Sequence, residues 1–168
     1  LLKNDETIGI ACLAFGSRPA AKADKALCSA LAAAKGQGRL QIISTLGERR
    51  VGKAVKALAE LTKNSDAAVA DAATRALGKL ANEAAVNVLA DLRKQAKPPF
   101  SDSLADASLR CVAALTASGK VRAAAAIADE LLIPAQSAHV RRGAFKALLA
   151  SDADGGEQRI LQTLRSSD

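Results

Sequence analysis

The residue types that carry most enzyme chemistry are sparse in this sequence and poorly spaced for it. There is one histidine, His139, two positions after Ser137 and just ahead of Arg141-Arg142. A Ser–His–Asp relay needs a carboxylate to orient the imidazole and donors to hold an oxyanion. No partner can be placed for either residue. His139 reads more simply as a first-turn helix residue, solvated or capping. The three cysteines, Cys12, Cys28 and Cys111, fit no C-x-x-C metal spacing. Each lies among Ala and Leu at helical spacing, as a small buried hydrophobe does. A Cys12–Cys28 disulfide is the alternative if their two helices pair, so the cysteines leave the redox compartment open. Gly36-Gln37-Gly38 reads as a helix connector, because no G-x-x-x-x-G-K-[ST] or G-x-G-x-x-G surrounds it. H-E-x-x-H is absent too. From these residues we expect no catalytic set, no metal ligands and no cofactor.

The charged residues offer a second kind of chemistry, recognition. Twenty-four Lys and Arg stand against 17 Asp and Glu, for a net charge of +7 and a pI near 9.6. That balance invites a nucleic-acid reading through Arg49, Arg50, Lys53, Lys56 and Lys63. The excess is concentrated in the first 100 residues. A phosphate track, however, wants cations without interleaved carboxylates. Single strands also want aromatic platforms, and the aromatics are only Phe15, Phe100 and Phe145. These three suit core or loop packing better.

Whether the charges form a surface depends on the elements that carry them. Hydrophobic residues make up 49% of the 168 but aromatics only 2%. The apolar content is mostly Ala and Leu, both strong helix formers, where a β-sandwich would want β-branched and aromatic residues. Small side chains also predict closely approaching helices. No apolar run nears the ~18–20 residues needed to cross a bilayer. The opening Leu1-Leu2 and the lack of Met lead us to expect a piece of a larger protein.

Internal repetition then organises the chain. Val69, Ala73 and Leu77 have counterparts at Ile8 and Cys12, at Ile42 and Leu46, at Cys111 and Leu115, and at Val140, Ala144 and Leu148. A first helix therefore occurs five times. A second helix follows each, over 55–61 and 86–92, and more loosely over 23–35, 121–132 and 155–164. The apolar positions recur at three- and four-residue spacing, the stripe of an amphipathic helix. Asp5, Asp66 and Ser101 or Asp102 stand at N-cap positions. Gly16, Gly47, Gly78 and Gly119 stand where first helices should end or turn. Pro19, Pro98-Pro99 and Pro134 fall between periodic segments, with a longer loop around Pro98-Pro99.

The string AVKALAELTKNSDAAVADAATRALGKLANEAAVNVLADLRK resembles HEAT repeats of the short bacterial kind, the type also found in phycobilisome-lyase-like proteins. Asp66 and Val69 stand where such repeats carry Asp and Val. The Arg that commonly follows that Val is Ala70 here and Arg141 in the last unit. The resemblance implies an all-α, α-α superhelix, a HEAT-like solenoid of about five two-helix repeats and ten helices. The units fall approximately at 1–37, 38–65, 66–100, 101–136 and 137–168. Each repeat closes its core against its neighbours, with first helices on the convex side and second helices on the concave side.

That register places Glu60, Asp91 and Asp129 at one equivalent position of successive second helices, with Lys25, Lys56 and Asn87 one turn earlier and Lys63 and Lys94 one turn later. The lining would then alternate in sign. We expect a protein–protein interaction scaffold that docks another protein through Lys56, Glu60, Asn87, Asp91 and Asp129 on the concave face. The alternatives are a nucleic-acid binder through the basic set, or a bilin-lyase-type or multidomain enzyme whose catalytic parts lie elsewhere. Cytoplasmic and exported locations both stay open.

Overall fold

The computed structural model describes residues 5–16 and 21–151. These form nine α-helices and a 3-10 turn, with no strand among the described residues. In chain order the helices are α1 (Asp5–Gly16), α2 (Ala21–Ala33), α3 (Gly36–Glu48), α4 (Val55–Leu61), α5 (Ala67–Leu80), α6 (Glu83–Gln95), α7 (Asp102–Ala117), α8 (Val121–Leu131) and α9 (Ala138–Ser151). The expected tenth helix, over 155–164, lies outside the described residues.

Helix starts follow local chemistry. The Asp66 side chain accepts from Ala68 N–H at 2.9 Å, and Ser101 Oγ accepts from Leu104 N–H at 3.4 Å. Asp102 is therefore the first residue of α7 and not its cap. Asn82 caps α6 through Ala85 N–H at 2.9 Å, a position where Asn is favoured. The side chain of Asp5 lies outside the described residues.

Two expectations about glycine are corrected. Gly47 and Gly78 do not end their helices; α3 runs to Glu48 and α5 to Leu80. Their role is interhelical. A Cβ on Gly47 would sit 2.9 Å from Ala76 Cα, and one on Gly78 would sit 2.5 Å from Ala107 Cα. Only hydrogen fits where these backbones cross. The left-handed residues that follow α3 and α5 are instead Arg50, at φ 51, and Ala81, at φ 45. Gly119, at φ 74, does turn the chain after α7. Gly36-Gln37-Gly38 opens α3 and is not a connector.

The first helices α1, α3, α5, α7 and α9 pack side by side in one row, each on the next. The second helices α2, α4, α6 and α8 each pack on first helices. Among themselves only α4 and α6 make more than marginal contact. The core lies between the two rows and runs the length of the stack: Leu27, Ile42, Ile43, Leu46, Leu58, Leu77, Leu89 and Leu131 are fully buried. Burying each such side chain contributes about 1.5–3 kcal/mol. The loop containing Pro98-Pro99 is held by Phe100, which is buried. Gln136 accepts from Phe100 N–H at 2.9 Å and donates to its carbonyl at 3.2 Å. This single amide satisfies both main-chain groups of a buried loop residue.

Candidate interaction surface

On the second helices a buried stripe fixes which residues face out. Leu58 and Leu89 are fully buried and Ile127 is 6% exposed. Two positions further along each helix, Glu60, Asp91 and Asp129 are all exposed, as helical geometry requires of residues rotated away from the stripe. Lys25, Lys56 and Asn87, and Lys63 and Lys94, are exposed as well. Lys56 and Glu60 are spaced for an i,i+4 pair but form none among the described residues; on this row Asp91 pairs with Lys94, at 3.5 Å. Both partners are well exposed, so this pair contributes little to stability. The row thus presents carboxylates, ammonium groups and an amide to solvent without burying any of them.

The basic set does not stay together. Arg49 is turned inward, its side chain only 7% exposed. It bonds to Asp24 on α2 at 2.7 Å and donates to the Phe15 carbonyl of α1. It ties α1, α2 and the end of α3 together, and this corrects its assignment to a basic surface. Arg50, Lys53, Lys56 and Lys63 are exposed. Arg50 and Lys53 share a cleft of about 920 Å³ with Lys22 and Lys25, between α2 and the α3–α4 turn. Lys56 and Lys63 do not line that cleft.

Two buried polar contacts were not anticipated from the sequence. Arg93 on α6 is 5% exposed. Its Nε donates to Glu130 on α8 at 2.6 Å and its guanidinium reaches Ser108 on α7 at 3.3 Å, joining three helices. The signal was present: Arg93 continues the stripe Ala85, Leu89 at four-residue spacing. Gln136 is the second, described above.

The residues with catalytic potential are dispersed. His139 is exposed in the first turn of α9, 3.9 Å from Asp106 on α7. All three cysteines are free thiols, which overturns the Cys12–Cys28 disulfide alternative. Cys12 and Cys111 are buried, and Cys28 is half-buried. Burial raises the Cys111 thiol from 9.0 to about 11, against a smaller lowering by Arg93. Burial and then Asp24 raise the Cys28 thiol, while Lys53 lowers it. Among the described residues no cluster of His, Cys, Asp and Glu could hold a metal ion. No described helix is long and apolar enough to cross a membrane.

No curated protein and no solved structure matches the chain. The family model of HEAT repeats matches residues 25–110, from within α2 to within α7. With that match over half of its 168 residues and with paired helices stacked in two rows, the chain belongs to the HEAT-repeat family.

Proposed function

We propose that this array is a protein-binding scaffold whose second-helix row docks another protein. HEAT repeats generally serve as protein-interaction scaffolds, and the family is typically non-enzymatic. The observation that carries the reading for this chain is the shared register on α4, α6 and α8. Glu60, Asp91 and Asp129 are exposed, each two residues after a buried Leu or Ile. Lys56 and Asn87 are exposed one turn before the first two. A row of charges on pre-formed helices offers a partner fixed positions, with little ordering cost on binding. The sign alternation disfavours a phosphate backbone, which is uniformly negative.

The test is site-specific photo-crosslinking in extract of the cells that naturally make the protein. Benzoylphenylalanine replaces Asn87 in one variant and the exposed first-row residue Arg75 in another. Discrete, nuclease-resistant adducts from position 87 but not 75, lost on adding Lys56→Glu and Asp91→Lys, support the reading. Equal adducts from both positions, or adducts that vanish with nuclease, refute it.

A further inference from the structure

The cleft between α2 and the α3–α4 turn has a chemistry that the alternating row does not share. Lys22 and Lys25 stand on α2 at i and i+3, so they project from the same side of the helix. Arg50 and Lys53 face them from the turn that leads into α4. All four are exposed, and none of their side chains makes a hydrogen bond or ion pair among the described residues. Among the described lining residues the one carboxylate, Asp24, is already engaged by the inward-turned Arg49 at 2.7 Å. Four unneutralised cations therefore surround a cavity of about 920 Å³. Arg50 is held there in a left-handed conformation, φ 51, which glycine would adopt without strain. Between the cations lie Ala21, Val51, Gly52 and the half-buried thiol of Cys28.

We propose that this cleft docks an acidic, aliphatic-containing peptide segment of the protein partner. The proposal rests on the scaffold reading above and names the partner's chemistry. The cations would pair with Asp and Glu side chains, and the apolar lining would take an aliphatic side chain between them. Nucleic acid fits less well for two reasons. Among the described residues no aromatic lines the cleft to stack a base. The neighbouring second-helix surface carries Glu60 and Asp91 and so does not extend a phosphate track.

The full chain is titrated with a fluorescein-labelled peptide of Glu and Asp with interspersed Leu, and binding is read by anisotropy at low and moderate salt. A triple variant, Lys22→Glu, Lys25→Glu and Lys53→Glu, is compared with a charge-matched one, Lys97→Glu, Lys120→Glu and Arg122→Glu, on the far part of the chain. Both are first checked for wild-type thermal unfolding. The cleft variant should lose about tenfold or more in affinity and the matched variant about threefold or less, because close pairs outweigh the screened field of net charge. The second readout is the thiol of Cys28, which lines the cleft while Cys12 and Cys111 are buried. Saturating peptide should slow its reaction with an aromatic disulfide reagent.

Equal losses in the two variants, an unprotected Cys28, absent binding, or displacement of the peptide by equimolar single-stranded DNA would each overturn the proposal. Absence of position-specific crosslinks from residue 87 with the row otherwise unmutated, peptide binding being intact, would sink the scaffold reading alone. Crosslinks retained without cleft binding would sink only the acidic-segment proposal.

Discussion

The Gly78→Ala substitution tests the close approach of α5 to α7. Alanine is the better helix former, so in an exposed helix interior this change would stabilise by about 1 kcal/mol. Here the new Cβ would lie 2.5 Å from Ala107 Cα and 2.7 Å from Ala107 Cβ, where ordinary contacts begin near 3.4 Å. The nearest obstacle is main chain and cannot rotate away, so α5 and α7 must separate by the better part of an ångström. A gap of that size forfeits roughly a quarter to a half of the dispersion at each affected contact. Overpacking of this kind costs about 1–3 kcal/mol, and a backbone clash places it at the upper end. With the helix-propensity gain subtracted, the net loss is about 2 kcal/mol, or roughly 4–8 °C in Tm for a chain of this size. Gly9→Ala is the control. It lies within α1, and the nearest atoms to its Cβ would be those of the Gln41 side-chain amide, from 3.1 Å, which can shift. Its Tm should stay level or rise. Adding Ala107→Gly to Gly78→Ala should recover only part of the loss, because Ala107 Cα remains in the way. The assay is thermal unfolding followed by circular dichroism at 222 nm, the standard helix band. If Gly78→Ala melts at or above the wild-type temperature, or Gly9→Ala falls as far, the close-approach argument is wrong.

Three further predictions follow from buried or strained groups. Arg93→Ala should destabilise by about 2 kcal/mol in urea unfolding, and Arg93→Met by much less. Packing of the stem is then conserved, and the 49% exposed Glu130 is resolvated, which keeps the loss below the ~3–5 kcal/mol of a fully buried broken pair. Ala81→Gly should stabilise by about 0.5–1 kcal/mol, because Ala81 holds φ 45 after α5 and glycine relieves a left-handed cost of about 1–2 kcal/mol while loosening the unfolded chain. Stability should fall above pH 9.0, since the unfolded Cys111 thiol ionises there while burial keeps the native thiol protonated to about 11. The loss reaches about 2 kcal/mol by the upper end of that window and should be smaller in Cys111→Ala.

The sequence by itself determined the helices, their pairing and their order. Those follow from local periodicity and from repetition, which the chain carries in plain form at Val69, Ala73, Leu77 and their counterparts. It also fixed the outward face of the second helices, because Leu58, Leu89 and Ile127 define the buried stripe and helical geometry dictates what points away. Only the tertiary structure decided what lies between helices. Gly47 and Gly78 look like terminators in a one-dimensional reading, but their lack of a side chain matters to the neighbouring helix, at Ala76 and Ala107. Arg49 looks like a surface charge until Asp24 is found across from it, 25 residues away, and Arg93, though on the buried stripe of α6, finds its partner Glu130 on another helix, 37 residues away. The cleft likewise joins Lys22 and Lys25 on α2 to Arg50 and Lys53 in the α3–α4 turn. Periodicity assigns a residue to a face of its own helix; which residues meet across helices is set by how closely the helices pack, and here glycine and alanine set that distance.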